Sequence, residues 1–529
     1  MSSRDNYRIV PPSPELLAKI LRTKQFLIAE KSLPEETTID FLDLQSFSLI
    51  TSRPKRIHGI AGELAAVVGT RKALVLLVDF SDNVATQNQQ HYADMLFSSG
   101  SYTTGSLKDF YWEASDRKLT VDGDVSGQGG VTNGWYRAPK PYSYYTNNDF
   151  GFGSYPQNAQ KLVEDVVDLA DPFVNFADYD NDGDGIVDAL FIVHAGQGAE
   201  VTGNKNHIWS HQWAITPKTV DGVKVQTYSM EPEDGKIGVF CHELGHVFGL
   251  PDLYDTDYSS AGTGRWDLMA GGSWNNGGLT PAHPTAYCKY KLGWVEPVII
   301  FNSQQDVTVK PYSTNDGQIY KLPIKQTNSK EYFLLSNRKK TGFDSYLPGE
   351  GLIIEHIDEN KTSNTDETHY LVDIEQCDGK FDLNKNANSG DANDPFPCGA
   401  NSSFTESTTP SSKAYDGSDS GIQVTDIQRS GENITASIKV GVVNQSSDWL
   451  NNRLVLLTFA STDSQNVWAY ISNTSGGNSG ENAGWYQLEL TSTDGVTNVF
   501  AMMNEAKASN RRVNVFINSN KRIYIAYLL

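Results

Sequence analysis

The sequence predicts an α/β (α+β) domain over roughly its first half, then a β-rich domain, then a small C-terminal β-rich domain. Three observations predict this. The apolar run Ala73-Leu74-Val75-Leu76-Leu77-Val78, inside Lys72–Phe80, has the length and continuity of a buried central strand, and amphipathic helical patterns follow it. From about Glu296 the chain changes to alternating strands and turns. A Ser/Asn-rich break over Asn444–Trp449 then sets off the last stretch. The predicted boundaries are 1–70, 71–295, 296–443 and 449–529.

Residues 13–30 carry a capped helix. Ser13 stands at the N-cap and Pro14 at the first helical position, with Leu16, Leu17, Ile20, Leu21 and Leu27 on one face. Ser48–Gly69 is mixed, with a basic patch at Arg53-Pro54-Lys55-Arg56. Residues 1–70 fit two descriptions equally: a removable pro-segment lying over a cleft until cut, or a helix packed for good on the next domain. Further on, Ser106 caps a helix through Ser115, with Asp109 in the capping-box place. Leu119–Val125 is a strand. Ala159–Ala170 is a helix with Leu162, Val163, Val166, Val167 and Leu169 inward.

Asp178-Tyr179-Asp180-Asn181-Asp182-Gly183-Asp184-Gly185-Ile186-Val187-Asp188 spaces carboxylates at alternate positions around a turn. That pattern suits a hard cation and resembles an EF-hand calcium loop. Asp180, Asp182, Asp184 and Asp188 are the expected ligands, with Asp178 as an extra one. The bidentate glutamate expected at the loop end is missing, which favours a structural calcium over a regulatory one. Ala189–His194 follows as a strand, a candidate edge for pairing with an extended peptide.

The centre of the chain is His242-Glu243-Leu244-Gly245-His246-Val247-Phe248-Gly249-Leu250-Pro251-Asp252. Two histidines four apart share one helix face, so both imidazoles can reach one metal. Glu243, between them, suits a general base on a water at that metal. Ile237, Phe240, Leu244, Val247 and Phe248 form the apolar back of the helix. Gly249 stops it and Pro251 keeps it stopped, which can return Asp252 as a third ligand. Two imidazoles and one carboxylate leave zinc a fourth position, as catalysis requires. The pattern HExxHxxGxxD resembles the metzincin signature, and Trp266-Asp267-Leu268-Met269-Ala270-Gly271-Gly272 looks like a Met-turn. No glutamate lies between Glu243 and Glu296, which disfavours a glutamate third ligand from a later helix. His283 is a weaker substitute for Asp252. His211 is either a cleft residue or, better, a satisfied structural histidine. No tyrosine directly follows Met269, which leaves an oxyanion helper open.

Beyond the Met-turn, Ala286–Trp294 is a short amphipathic helix, Tyr332–Arg338 and Gly351–Asp358 are strands, and Ile434–Val440 closes the domain. The turn Gly390–Pro395 is a candidate for a second calcium. Four cysteines allow three pairings. Cys377 and Cys398 flank a loop that a disulfide would staple, whereas Cys241 and Cys288 either pair or stay as buried thiols. No cysteine precedes Cys241, so a blocking cysteine from residues 1–70 is excluded. In the last domain Arg453–Phe459, Asn466–Ile471, Arg512–Ile517 and Arg522–Leu528 are strands, and Asn498–Ala508 is a short helix. Its aromatics Trp468, Tyr470, Trp485 and Tyr486 are either half-buried sheet residues or a face that binds a surface or a glycan.

Of 529 residues, 43 are basic and 64 acidic, a formal charge of −21, which argues against nucleic acid or anionic membrane as partner. No run reaches the roughly 18 apolar residues a membrane span needs. The polar start, Met1–Asn6, shows no secretory signal.

Taken together, HELGHVFGLPD, the Met-turn, PAHPTAYCKYKLGW, EYFLLSNRKKTGFD, LPGEGLIIEHID and DIEQCDG…DANDPFP resemble the immune inhibitor A family of secreted bacterial zinc metallopeptidases, over roughly Lys72–Val440. The resemblance implies a secreted endopeptidase that cuts host or nutrient proteins and is made with a pro-segment. It carries His242, His246 and Asp252 over as zinc ligands and Glu243 as base. The competing reading is a secreted adhesion or ligand-binding protein with an inert zinc site.

Overall fold

The computed structural model describes residues 8–29, 66–127, 134–300, 304–312, 317–324, 329–441, 449–460, 467–472, 484–488, 493–517 and 522–528. The basic patch at Arg53–Arg56 and most of the Asn444–Trp449 break lie outside them.

The first half is built on one twisted sheet. Its strands are β1 (Arg8–Ile9), β2 (Gly69–Asp79), β3 (Leu119–Ser126), β4 (Tyr136–Arg137), β5 (Leu190–His194), β6 (His211–Val220) and β7 (Val223–Pro232). The order is β1-β6-β7-β5-β2-β3, with β4 also on β2. Most neighbours run parallel, but β6 is antiparallel to β7, and β1 is antiparallel to β6. The apolar run of β2 is fully buried because the helix Ala159–Ala170 and its neighbours cover the sheet faces. The expected capping box forms: Ser106 Oγ accepts from Asp109 N, and Asp109 accepts from Ser106 N. The first helix spans Pro14–Ala29, and Ser13 Oγ accepts from Leu16 N as a cap should. Val10, Leu16 and Ile20 join the core of this domain.

One expectation fails here. Ala189–His194 was the candidate edge for an extended peptide, yet β5 lies inside the sheet between β7 and β2. Its unbroken apolar sequence is what a strand covered on both faces and flanked on both sides carries. The edge is β6, and β1 lies along it.

The next part pairs two sheets. β8 (Val298–Ile299), β9 (Gln304–Val309), β10 (Tyr320–Pro323), β11 (Glu331–Arg338), β12 (Gly351–Asp358), β13 (Val372–Ile374), β14 (Gln423–Ser430) and β15 (Asn433–Lys439) form a five-stranded sheet, β13-β12-β11-β10-β8, and a three-stranded one, β14-β15-β9. Strand alternation splits β11 between two cores. Tyr332 and Leu334 face the first domain, whereas Phe333 and Leu335 face the three-stranded sheet. Cys377 and Cys398 form the expected disulfide, and Cys241 and Cys288 are free and buried.

The last part is a closed barrel of β16 (Trp449–Ala460), β17 (Val467–Ile471), β18 (Gly484–Leu488), β19 (Arg512–Ile517) and β20 (Arg522–Leu528). Its helix, Thr493–Ser509, is longer than the predicted Asn498–Ala508. Trp468 and Tyr470 are half-buried and Tyr486 is buried, while the side chain of Trp485 lies outside the described residues.

Candidate metal centre

The helix Ile237–Val247 ends as its sequence dictates. Gly249 takes a φ of +94°, its N–H donates to His246 O at 2.9 Å, and Leu250 N donates to Gly245 O at 3.0 Å. The chain doubles back and delivers Asp252 beneath the helix. Asp252 Oδ1 lies 3.3 Å from His242 Nε2 and 3.1 Å from His246 Nε2, and the two Nε2 atoms are 3.1 Å apart. A tetrahedral ion with bonds of about 2.0–2.1 Å needs ligand atoms roughly 3.3 Å apart, so the three donors outline one face of such an ion's shell.

The outer nitrogens are anchored too. His242 Nδ1 sits 3.0 Å from Leu268 O, and His246 Nδ1 sits 2.9 Å from Leu250 O. Each imidazole therefore donates outward from Nδ1 and turns its Nε2 lone pair toward the metal position. Met269 is fully buried beneath the helix at Gly245, where a Cβ would come within 2.6 Å of its sulfur. A larger residue at 245 would push the methionine side chain aside. Leu253 N donates to Met269 O at 2.8 Å, which ties the Met-turn to the returning strand of chain.

Electrostatics fit a cation. Burial works hardest against the charge on Asp252, yet the His246 and His242 imidazoles outweigh it and hold the carboxyl well below its ordinary range. Burial pushes Glu243 well above its ordinary range, and Glu231, Asp252 and Glu200 push it further. Asp252 Oδ1 and both Glu243 oxygens are buried without a hydrogen-bond partner. Unpaired buried acceptors are costly, and a dication with a bound ligand would satisfy them. The donor set therefore fits a catalytic metal.

Four residues at the site escaped the sequence reading. Arg8, on β1, donates from Nη1 to Leu250 O at 2.6 Å and lies 3.2 Å from His246 Nδ1. Ile9 pairs with His211 of β6, and its carbonyl accepts from the Tyr254 hydroxyl at 2.7 Å. An extended segment thus already lies along the edge strand beside the metal ligands. Glu231, at the end of β7, is buried with both carboxylate oxygens unpartnered. The faint signal for Tyr254 was its place two residues after Asp252; two-residue β1 left none.

Other predicted residues fall elsewhere. His211 is structural: Nδ1 lies 2.6 Å from Trp209 O and Nε2 lies 3.0 Å from Tyr228 Oη. His283 is bonded to Glu113 and Lys289, away from the metal ligands. In the acidic loop, Asp180, Asp182 and Asp188 converge, with Gly183 and Gly185 at φ of +79° and +84° making the turn. Asp184 instead accepts from Ile186 N, and Asp178 from Asn175 Nδ2. In the turn Gly390–Pro395, Asp394 accepts from the Trp266 indole and from Asp391 N.

A sheet with an antiparallel edge strand, over a helix whose two histidines meet a returning carboxylate above a methionine turn, defines a metallopeptidase domain. Residues 63–299 match the immune inhibitor A peptidase M6 catalytic domain. The chain is 32% identical over 299 residues to immune inhibitor A of Bacillus thuringiensis subsp. alesti, covering 46% of this chain and 42% of that protein. It is also 32% identical over 275 residues to the pre-pro-metalloprotease PrtV of Vibrio cholerae serotype O1, covering 42% of this chain and 29% of that protein. The chain therefore spans less than half the length of either relative.

Proposed function

We propose that the protein is a secreted zinc endopeptidase that hydrolyses peptide bonds in proteins. The observation that carries this is the convergence of His242 Nε2, His246 Nε2 and Asp252 Oδ1 beside the unpartnered Glu243. Zinc bound there supplies a Lewis acid and lowers the pKa of water. Glu243 takes the proton of the attacking water and hands it to the leaving amine. The buried site keeps bulk water away, and β6 binds the substrate by backbone pairing once β1 leaves. Residues 1–70 act as a pro-segment. The placement of Arg8 and Ile9 supports that role over a helix packed for good.

Asp180, Asp182 and Asp188, with Asp184 and Asp178 nearby, hold a structural calcium. The terminal barrel is an accessory module, with a surface or a glycan as its candidate ligand. Among the described residues no helix is long and apolar enough to cross a membrane. The adhesion reading draws no support from relatives named immune inhibitor and metalloprotease.

The test is metal analysis joined to casein hydrolysis, with and without a zinc chelator. One zinc per chain and loss of cleavage on chelation are expected. Glu243→Gln should keep the zinc and lose about 10²–10⁴-fold in kcat. Undiminished cleavage by that variant overturns the mechanism.

A further inference from the structure

Just past Asp252 the chain builds a second cluster of acids. Carboxylate oxygens of Asp255, Asp257 and Glu367 all lie within 4.8 Å of one another. That is about twice a calcium–oxygen bond, so one ion can touch all three. Asp255 is 1% exposed, and among the described residues no Lys, Arg or His forms an ion pair with any of the three. Ser259 Oγ joins them, contacting both Asp255 Oδ2 and Glu367 Oε1.

A second, independent observation points to a ligand. Tyr370 is 1% exposed, and its hydroxyl is buried without a hydrogen-bond partner. Ser260 stands beside it, and burial together with the charges of Asp373, Asp255 and Glu367 pushes its ionisation up. A buried phenol with no partner is costly unless something occupies the space before it.

From this geometry we propose that Asp255, Asp257 and Glu367 hold a calcium ion, with Ser259 Oγ bordering the same position and the unpartnered Tyr370 hydroxyl in their neighbourhood. The donors are all oxygen, which selects a hard cation over zinc. The ion would bridge two parts of the molecule. Asp255 lies three residues past Asp252, whereas Glu367 lies between β12 and β13 of the second domain. The bridge is already framed: Asn364 Nδ2 donates to Leu253 O at 3.0 Å and to Val372 O at 2.8 Å. Burial and the neighbouring Asp257 push the Asp255 carboxyl up to about 6, the response of a buried acid beside another. The site is independent of the zinc reading, since none of its ligands belongs to that centre.

Calcium titration calorimetry on the full chain tests this, in a Glu243→Gln background that does not digest itself. Asp182→Asn with Asp184→Asn weakens the other acidic loop, and that chain should still bind one tight calcium and gain Tm on adding it. Adding Asp257→Asn and Glu367→Gln should abolish both effects while circular dichroism stays unchanged. If that variant does not fold, Glu367→Gln alone should weaken calcium by about tenfold or more, since affinity follows ligand charge. Calcium binding that vanishes with Asp182→Asn/Asp184→Asn alone overturns the proposal. So does an unchanged Kd on losing the Glu367 carboxylate.

Discussion

The Arg8 guanidinium and the His246 imidazole compete for one carbonyl: Leu250 O accepts from Arg8 Nη1 at 2.6 Å and lies 2.9 Å from His246 Nδ1. The N-terminal segment thus grips the carbonyl that orients the His246 imidazole. Deleting residues 1–12 should free β6 and raise peptide hydrolysis by about tenfold or more, equivalent to about 1.4 kcal/mol of segment binding. Arg8→Ala should raise it less. Initial rates on a quenched-fluorescent peptide measure both, and no gain in either chain contradicts a covering role.

Tyr254 donates to the carbonyl of a strand lying where substrate would lie. Tyr254→Phe in the truncated chain should lower kcat/KM about five- to tenfold, the worth of one hydrogen bond of about 1–1.5 kcal/mol. Zinc content should stay unchanged.

Arg338 is 1% exposed, donates to Asp344 at 2.8 and 3.0 Å, and reaches Trp266 O at 2.9 Å. It braces the Met-turn from the second domain. Arg338→Ala leaves Asp344 buried beside a lost partner, and should cost about 3–5 kcal/mol. Thermal unfolding of the zinc-loaded chain reads this as a lower Tm.

His356 gives a pH signature. Burial opposes its charge most strongly, but Glu331 at 3.1 Å and Glu375 at 3.3 Å outweigh burial and raise it to about 9. A raised folded pKa adds stability that is full below about 6.5 and lost as pH rises through about 9, on the order of 3 kcal/mol. Tm should therefore fall between pH 6.5 and 9, and His356→Gln should flatten that fall.

Local periodicity made much of this legible. The helix of His242 and His246, its glycine stop and the return of Asp252 follow from spacings within eleven residues, and the caps at Ser13 and Ser106 follow from equally local patterns. Long-range placement was not legible. The sequence cannot say that two residues near the start will pair with β6, because a strand that short has no period. Nor does it link Asp255 to Glu367, which meet only after the second domain folds back. The choice of β5 as an edge failed because an apolar run shows burial of faces but not the neighbours on either side.

The five-stranded sheet β13-β12-β11-β10-β8 is clothed on one side by the first domain's core and on the other by its own companion sheet. A recombinant fragment stopping near residue 299 would strip away Tyr332, Leu334, Ile357 and Val372 from that shared wall and leave an oily flank open to water. The two parts share one apolar wall, so a chain carried through Lys439 should unfold at a higher temperature than one cut near residue 299.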